Sequence, residues 1–295
     1  FKEYFSKEKI NAKNILLTGA TVYLGIHILY ELINKADSNI YCLIRNKNGQ
    51  ESKERLIKKL TFYFGKDILK FIDNRIHVIV ADISLPKFGL NDKDYKNLGN
   101  KIDVVIHSAA IVDHYGDNSI FESINVTGTI NIIDFCKEFS IYMNHISTTS
   151  VSASIPDANT PTIFDEHALY VGQNYEDNIY IETKFKAEYK IWEAINTGMK
   201  ISVYRLGNIT ARYSDGQFQE NDTKNAFLNR TITLSKLNKL PQYISNFEID
   251  LSPVDTCSSI IASSIYYKSS YSKVFHIYNN HQLKFVDLLK TINEP

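Results

Sequence analysis

Cysteine is scarce in this 295-residue chain, which has only Cys42, Cys136 and Cys257, all far apart. No two of them form a Cys-x-x-Cys pair, so neither a disulfide framework nor a zinc site is predicted, and free thiols in a reducing compartment are expected. The chain also lacks an excess of charge, because 33 Lys and Arg residues balance 33 Asp and Glu residues. Nucleic-acid binding therefore has little electrostatic support.

Long apolar runs are missing as well. No stretch approaches the roughly 18 residues that span a membrane, and the first fourteen residues, FKEYFSKEKINAKN, are polar and charged, unlike a signal or transit peptide. We therefore expect a cytoplasmic protein that binds neither membrane nor nucleic acid. Both ends, at Phe1 and at Pro295 just after an apparent helix, are interpreted as cut. We accordingly expect a monomeric domain excised from a larger protein, although proteolytic processing would look the same.

The chain alternates short apolar runs with amphipathic stretches. The apolar runs predict strands at Asn14–Thr18, Ile40–Ile44, Ile76–Ala81, Val104–His107, Tyr142–Ile146, Ile201–Arg205 and, late in the chain, Val274–Tyr278. The amphipathic stretches predict helices at Leu24–Ile33, Ser52–Phe64, Ser119–Phe139, Asn178–Ile195, Phe227–Leu240 and from Asp255, a candidate N-terminal cap, to about Tyr267. This β-α-β-α order predicts an α/β fold in which a parallel sheet carries helices on both faces.

The first strand runs into a turn that reads TGATVYLG, from Thr18 to Gly25. Gly19 permits a tight turn, Gly25 permits close packing of helix on strand, and the N–H groups at the helix start can face a pyrophosphate. An ordinary strand–helix turn explains the pattern equally well. Val22 stands where a glycine is expected, so it either weakens cofactor binding or points its side chain away from the phosphates.

Residues after the next strands fit a dinucleotide. An NAD site usually places an acidic residue after the second strand, whereas this chain has Arg45 there, which favours the 2′-phosphate of NADP(H). Lys47 is interpreted as a solvated basic residue. Asp82 follows the third strand and is expected at the adenine end, and small residues in HSAA, which ends in Ala109 and Ala110, offer a surface for a flat cofactor.

Tyr180 and Lys184 form a Tyr-x-x-x-Lys pair at the start of a helix, one turn apart on one face. A nearby ammonium lowers the pKa of a phenol, so that it can exchange a proton near neutrality. The run Ser147–Ser152 after the fifth strand supplies hydroxyl donors for a developing oxyanion. With 19 tyrosines in the chain, one such pair is expected by chance. The pair indicates a function only because it follows the other motifs in a specific order.

The ordered set resembles the extended short-chain dehydrogenases. NILLTGATVYLG, ADIS, HSAAIVDHYG, NVTGT, ISTTSVS, YIETKFKAE, YRLGNI and LSPVD are similar to the subgroup that reduces carboxyl thioesters, and in particular to the terminal reductase domain of nonribosomal peptide synthetases, with carboxylic acid reductases and fatty acyl reductases as close cousins. The resemblance implies a Rossmann-type, doubly wound sheet in residues 1–206 that binds NADP. It further implies a smaller substrate-binding lobe in residues 207–295, with residues 251–278 returning to the Rossmann core. Members usually continue past the equivalent of Pro295, so a truncated lobe is expected.

The resemblance also implies roles for single residues. Tyr180 would be the proton donor, and Lys184 would lower its pKa and hold the nicotinamide ribose. Thr148 would be the catalytic hydroxyl, with Thr149 as an open alternative. The implied cofactor-binding residues are Gly19, Thr21, Val22, Leu24, Gly25, Arg45, Asp82, Ile83, Ala109, Ala110, Lys184, Leu206 and Asn208.

Three function classes follow. The favoured one is NADPH-dependent release of a peptidyl or aminoacyl thioester, held on the phosphopantetheine arm of an upstream carrier domain, as an aldehyde or further as an alcohol. The second is another extended dehydrogenase, such as a carboxylic acid reductase or a sugar-nucleotide epimerase or dehydratase. The third is a non-catalytic NADP-binding regulator. His107, His114 and His145 do not have the spacing of a metal site, and none is predicted.

Overall fold

A computed structural model describes residues 8–46, 51–113, 115–154, 162–221, 225–237 and 247–293 of the chain. Lys47 and His114 lie outside this part. The described strands are β1 Asn14–Thr18, β2 Asn39–Ile44, β3 Ile76–Val80, β4 Val104–His107, β5 Tyr142–Thr148, β6 Ile201–Leu206, β7 Ile209–Thr210, β8 Glu248–Ile249, β9 Ser252–Pro253, β10 Val274–Ile277 and β11 Leu283–Lys284. The described α-helices are α1 Tyr23–Lys35, α2 Ser52–Phe64, α3 Asp92–Gly99, α4 Asn118–Phe121, α5 Gly128–Glu138, α6 Ile179–Asn196, α7 Ala226–Leu237, α8 Val254–Ser264 and α9 Phe285–Asn293.

The centre of the fold is a seven-stranded parallel sheet in the order β10-β6-β5-β4-β1-β2-β3. This order reverses direction between β1 and β4, which is the point where a doubly wound sheet binds its ligand. Side chains of β1 alternate between the two faces, so that Ile15 and Leu17 join one apolar core and Leu16 joins the other. Both faces are therefore buried, as the apolar strands predict.

The segment after β6 divides its contacts. Strand β10 pairs with β6, and helix α8 packs against α1. Ile249, Phe285 and Leu289 instead form a separate small core with side chains of α7 and α9. The domain boundary at residue 206 stays a prediction.

Two predicted helices differ from the structure. The stretch Ser119–Phe139 is interrupted between α4 and α5 by a π-helical segment, Glu122–Thr127, which inserts extra backbone into the helix. The helix predicted from Asp255 to Tyr267 is α8, which ends at Ser264, and its N-terminal cap is Pro253. Asp255 is wrong as a cap because its carboxylate accepts the N–H groups of Tyr213 and Ser214 in a distant loop.

Candidate active site

The turn between β1 and α1 is built on two close backbone approaches. Gly19 has φ +77°, and a Cβ there would lie 2.7 Å from the main-chain nitrogen of Ala109. A Cβ on Gly25 would lie 2.0 Å from the Gly19 carbonyl oxygen. Both positions therefore require glycine, the first for its conformation as well as its space. The turn reaches the end of β4 at the switch point of the sheet.

Val22 does not share this requirement. Its φ of −90° and ψ of 162° are extended and open to any residue, and it is the N-terminal cap residue of α1. Its side chain is 39% exposed. Valine in place of the expected glycine therefore causes no backbone strain in the turn. Its side chain could affect cofactor binding only by steric contact with a bound phosphate. Leu24 is partly buried against the apolar core, so of its groups only the backbone N–H is suited to a phosphate.

A buried hydrogen-bond chain fixes the Ala109 backbone beside this turn. The Ala109 N–H donates to Thr18 Oγ1 at 3.1 Å, and Thr18 Oγ1 lies 2.8 Å from His107 Nδ1. His107 Nε2 lies 3.1 Å from the hydroxyl of Thr129, which itself donates to the Asn125 carbonyl. These directions assign a neutral His107 that carries its proton on Nε2. Burial, followed by the charge of Lys184, lowers its pKa to about 3, in agreement with a neutral ring. Ala110 is partly buried beyond this point.

Two arginines meet at the carboxyl end of β2. Arg45 is exposed, with its Nη1 atom 4.0 Å from a carboxylate oxygen of Asp82. Arg55, in the first turns of α2, donates to the Arg45 carbonyl at 2.5 Å and to Thr21 Oγ1 at 3.2 Å. Burial and then the charge of Arg45 lower the pKa of Arg55. The cluster of Thr21, Arg45, Arg55 and Asp82 presents two mutually repelling cations, which an anion between them would stabilise.

Arg55 is missing from the predicted site because α2 reads as a helix with a basic outer face. One signal was available: the first turns of a helix that follows a parallel strand lie beside the carboxyl end of that strand. Asp82 accepts the N–H and the hydroxyl of Ser84, which fixes its carboxylate. Ile83 is buried, and its side chain fills the space beside Gly128.

The side chains of Thr148 and Tyr180 lie close enough for the Thr148 hydroxyl to influence the pKa of the phenol. Thr148 Oγ1 accepts the N–H of Ser150 at 3.1 Å. Thr149 points elsewhere, because its hydroxyl donates to the Leu206 carbonyl at 3.2 Å. Burial raises the pKa of Tyr180, and the Thr148 hydroxyl opposes this shift only in part. The predicted lowering of this pKa is therefore wrong for the protein on its own, since desolvation outweighs the other influences on the phenol.

Lys184 is 5% exposed, and its ammonium donates to the Ile146 carbonyl at 2.7 Å. Burial lowers its pKa to about 8, and the carboxylate of Glu188 opposes the shift. The side chain therefore changes charge close to neutral pH. The ammonium contacts β5 at Ile146, two residues before Thr148.

Two asparagines outside the predicted site hold this helix in place. The side chain of Asn178 caps α6 by accepting the N–H groups of Tyr180 and Ile181 at 3.0 and 3.2 Å. Asn125, buried in the π-helical segment, accepts the Ile111 N–H at 2.8 Å and donates to the Thr183 hydroxyl at 3.0 Å. The signal for Asn125 was its place at the start of the NVTGT segment, which is part of the resemblance.

The residues after β6 close the far side of the site. Leu206 is buried, and a Cβ on Gly207 would lie 2.2 Å from a carboxylate oxygen of Asp250. The backbone N–H of Asn208 donates to the same carboxylate at 2.9 Å, and its side chain faces the Asp250 carbonyl at 3.4 Å. The side chain of Asn208 is thus engaged with Asp250, and the approach to nicotinamide stays a prediction for its backbone.

In the part of the chain that the structure describes, no group of His, Cys, Asp and Glu residues has the arrangement of a metal site. Likewise, none of the described helices combines the length and the apolar character needed to cross a membrane.

Comparisons with known proteins give consistent matches. A family profile described as male sterility protein matches residues 17–261. A linear gramicidin synthase of Brevibacillus parabrevis is 26% identical over 277 residues, which make up 94% of this chain and 5% of that protein. L-2-aminoadipate reductase of Saccharomyces cerevisiae is 25% identical over 313 residues, covering 99% of this chain and 22% of that protein.

Among solved structures, a thiolation-reductase di-domain from an archaeal non-ribosomal peptide synthetase matches with a TM-score of 0.87 and 36% identity. The match covers 99% of this chain and 61% of that chain. The chain therefore spans less than two thirds of the length of each of these relatives. The predicted Rossmann-type fold and the resemblance to terminal reductase domains are confirmed.

Proposed function

Because the chain belongs to the family described as male sterility protein, and is thus an oxidoreductase domain, we propose that it releases a carrier-bound peptidyl or aminoacyl thioester by reduction with NADPH. The product is an aldehyde, or an alcohol where a second NADPH reduces the aldehyde. The observation that carries the proposal is the proximity of Thr148 to Tyr180. Tyr180 lies one helical turn from the buried Lys184, at the same sheet edge as the glycine turn.

The geometry of the turn fits a dinucleotide. Gly19 and Gly25 leave no room for side chains where β1, α1 and the end of β4 meet, so the backbone itself lines the approach to the N-terminus of α1. The pyrophosphate would be held by the N–H groups of Thr21 and of residues 23–25, a position that the helix dipole favours, while the N–H of Val22 donates to the Gly19 carbonyl at 3.0 Å. Ala109 and Ala110 would support the cofactor at the end of β4, with Leu206 and the backbone of Asn208 at its nicotinamide end.

The preference for NADPH rests on the arginine pair. Arg45 and Arg55 stand at the end of β2, where an NAD-specific protein usually carries an acidic residue. A 2′-phosphate between them would relieve their repulsion and accept charge-assisted hydrogen bonds. Thr21 orients Arg55 through its hydroxyl. Asp82, held by Ser84, would accept hydrogen bonds at the adenine end, with Ile83 beneath it.

The side chains divide the chemistry of the carbonyl between them. Bound NADPH would supply the hydride. The Thr148 hydroxyl and the Tyr180 phenol would donate hydrogen bonds to one substrate oxygen, and their proximity supports this role. Tyr180 is protonated at neutral pH, since burial raises its pKa, and so it can give its proton to the oxygen as negative charge develops there. Lys184 would hold the nicotinamide ribose. The hemithioacetal that results collapses to a thiol and an aldehyde.

The proposed partner is an upstream carrier domain. Support comes from the thiolation-reductase di-domain, whose reductase part has this fold, and from the peptide synthase among the relatives. We also propose a cytoplasmic location for the chain. Its three cysteines are buried and free of disulfides, as is usual in a reducing compartment.

The test uses the purified domain, NADPH and a pantetheine thioester, with products identified by mass spectrometry. The expected result is oxidation of NADPH together with a free aldehyde or alcohol. NADH in a parallel reaction should support much slower turnover. Free acid as the only product would identify a hydrolase, and absence of NADPH oxidation with a series of acyl thioesters would contradict the proposal.

A further inference from the structure

Glu188 of α6 and Arg205 of β6 form an ion pair in the interior of the protein. Both side chains are 0% exposed, and Oε1 of Glu188 accepts from Nε of Arg205 at 2.9 Å and from Nη2 at 2.6 Å. The same oxygen accepts the indole N–H of Trp192 at 3.2 Å, and the other oxygen accepts the hydroxyl of Ser147. The carboxylate thus joins α6 to strands β5 and β6.

The guanidinium of Arg205 uses all five of its N–H donors. Besides the two bonds to Glu188, Nη2 donates to the Ala168 carbonyl at 2.7 Å, and Nη1 donates to the Asp165 carbonyl at 3.0 Å and to His276 Nε2 at 3.1 Å. Its flat face lies 4.5 Å from the ring centre of Phe164. One side chain therefore ties β6 to α6, to the loop that leads toward α6, and to β10.

A buried ion pair is an expensive way to stabilise a protein, because desolvation of two charges offsets most of their attraction. What such a pair supplies instead is a fixed relative position for the elements that it joins. Three residues of this network are next to proposed site residues. Ser147 precedes Thr148, Arg205 precedes Leu206, and Glu188 follows Lys184 by one turn of the same face of α6.

We propose that Glu188 and Arg205 are positioning residues of the reduction site, which hold Thr148, Tyr180 and Lys184 in mutual register, and that the carboxylate of Glu188 supplies a negative charge one helical turn from Lys184. The inference rests on the proposed function, since it takes these three residues as the reacting set. Glu188 acts through Lys184 and makes no contact with substrate.

The surroundings of Lys184 give the charge of Glu188 its importance. His107 on β4 and His145 on β5 are fully buried, and burial lowers both of their pKa values, so neither ring is charged at neutral pH. Arg205 on β6 is a cation beyond Glu188, and Tyr180 on α6 is a neutral phenol. Glu188 is the carboxylate that opposes the desolvation of Lys184. Without its charge, Lys184 loses its proton at a lower pH.

Two variants separate the charge from the geometry. Glu188→Gln keeps the shape and removes the charge, and Ser147→Ala removes the bond between Glu188 and β5 while it keeps the charge. Glu193→Gln is the matched control, because it is the same change on the same helix in an exposed pair with Lys190. Each protein is checked for folding by circular dichroism. We then measure kcat with a pantetheine thioester, and the Kd for NADPH by fluorescence, from pH 6 to 9.

For Glu188→Gln we expect the alkaline loss of both kcat and NADPH affinity to move toward acid by about one pH unit. At pH 8 the Kd should then be about fivefold higher than in the wild type, and at pH 6.5 it should return close to the wild-type value. For Ser147→Ala we expect kcat to fall about tenfold at every pH with the alkaline limb unchanged, as for a small displacement of reacting groups. Glu193→Gln should match the wild type.

The results that would overturn the inference are specific. If Glu188→Gln loses kcat and NADPH affinity at the same alkaline pH as the wild type and differs only in a lower Tm, the pair has a structural role alone. If Glu188→Gln does not fold, unchanged kcat in Ser147→Ala overturns the inference. A wild-type protein that binds NADPH and reduces no thioester contradicts the proposed function, while the pH dependence of its NADPH affinity still decides the role of Glu188. Absence of NADPH binding by the wild type would overturn both.

Discussion

Arg55 Nη2 lies 3.2 Å from Thr21 Oγ1 and so joins the first turns of α2 to the glycine turn between β1 and α1. The same side chain holds the carbonyl of Arg45. Recognition of a 2′-phosphate and recognition of the pyrophosphate would therefore be linked, because Arg55 contacts both the Arg45 backbone and the glycine turn. We accordingly expect Arg55 to be as important to cofactor choice as Arg45, the residue that the sequence alone indicates.

Replacement of either arginine should change cofactor preference. We expect Arg45→Ala and Arg55→Ala each to weaken NADPH binding by about 1–3 kcal/mol, as for the loss of a charged hydrogen-bond partner. NADH binding should be little changed in Arg45→Ala, and in Arg55→Ala it should weaken less than NADPH binding, because Arg55 also contacts Thr21. Titration calorimetry with both cofactors measures this. Lys53→Ala on the same helix, which breaks an exposed ion pair with Asp73, is the control. Equal losses for NADPH and NADH would contradict a role at the 2′-phosphate.

Val22→Gly should tighten NADPH binding. The backbone at this position suits any residue, and glycine is acceptable as an N-terminal cap, so the fold should be unaffected while the path to the phosphates opens. We expect a gain of about tenfold in affinity, or about 1.4 kcal/mol, with an intermediate gain for Val22→Ala. An unchanged Kd in both variants would mean that the Val22 side chain points away from the phosphates.

Tyr180→Phe removes the phenolic proton and keeps the ring. Turnover should fall by about 10²–10⁴-fold, the usual contribution of a general acid, and the Kd for NADPH should hold. Tyr189→Phe, at an exposed position on the same helix, serves as the matched control and should leave turnover unchanged. Near-normal reduction by Tyr180→Phe would eliminate the proposed mechanism.

The two threonines at the end of β5 can be separated in the same assay. Thr148→Ala should lower kcat by about 10- to 100-fold, because its hydroxyl lies near Tyr180 and would donate to the oxyanion in the proposed mechanism. Thr149→Ala removes a bond to the Leu206 carbonyl instead and should cost less turnover. A larger loss of kcat for Thr149→Ala would exchange the two roles.

The buried histidines should make the protein sensitive to acid. Burial lowers the pKa of His107 to about 3 and that of His27 to about 4, below the ordinary value near 6.5. Between these values the unfolded chain binds more protons than the folded one. The free energy of unfolding should therefore fall as the pH drops from about 6.5 to 4, by roughly 1.4 kcal/mol per pH unit for each histidine.

His27→Phe provides the check. His27 lies among Tyr23, Tyr63 and Phe64, and its Nε2 has no hydrogen-bond partner among the described residues, so a phenyl ring suits the site. The free energy of unfolding, measured with urea between pH 4.5 and 7, should change less steeply with pH than in the wild type, by about 1.4 kcal/mol per pH unit. The same pH dependence as in the wild type would mean that His27 titrates normally in the folded protein.

The seven strands of the central sheet can be predicted from the sequence, because each is a short apolar run bounded by polar residues. Strands β7 and β9 cannot be predicted in this way, since a strand of two residues shows no periodicity. Asp255 reads as a cap because Pro253 and Asp255 open a helix, yet its partners are Tyr213 and Ser214, which only the fold brings near.

The site divides in the same way. Tyr180 and Lys184 belong to one helical turn and can be recognised from their spacing. The role of Arg55 depends on how α2 returns to the end of β2. The pair of Glu188 and Arg205 joins a helix to a strand, and neither the pairing nor its burial has a local signal. Desolvation, which raises the pKa of Tyr180 and lowers that of Lys184, depends on the whole surrounding core.

The loop ahead of α6 is anchored through its main chain. Arg205 binds the carbonyl oxygens of Asp165 and Ala168, which every amino acid possesses. The side chain at residue 168 can therefore be exchanged without loss of the anchor, whereas the carboxylate of Asp165 also accepts the N–H of His167 at 2.9 Å. A library randomised at residue 168 should keep the course of the loop, so this position offers evolution, or an engineer, a place to vary the protein beside an unmoved helix α6.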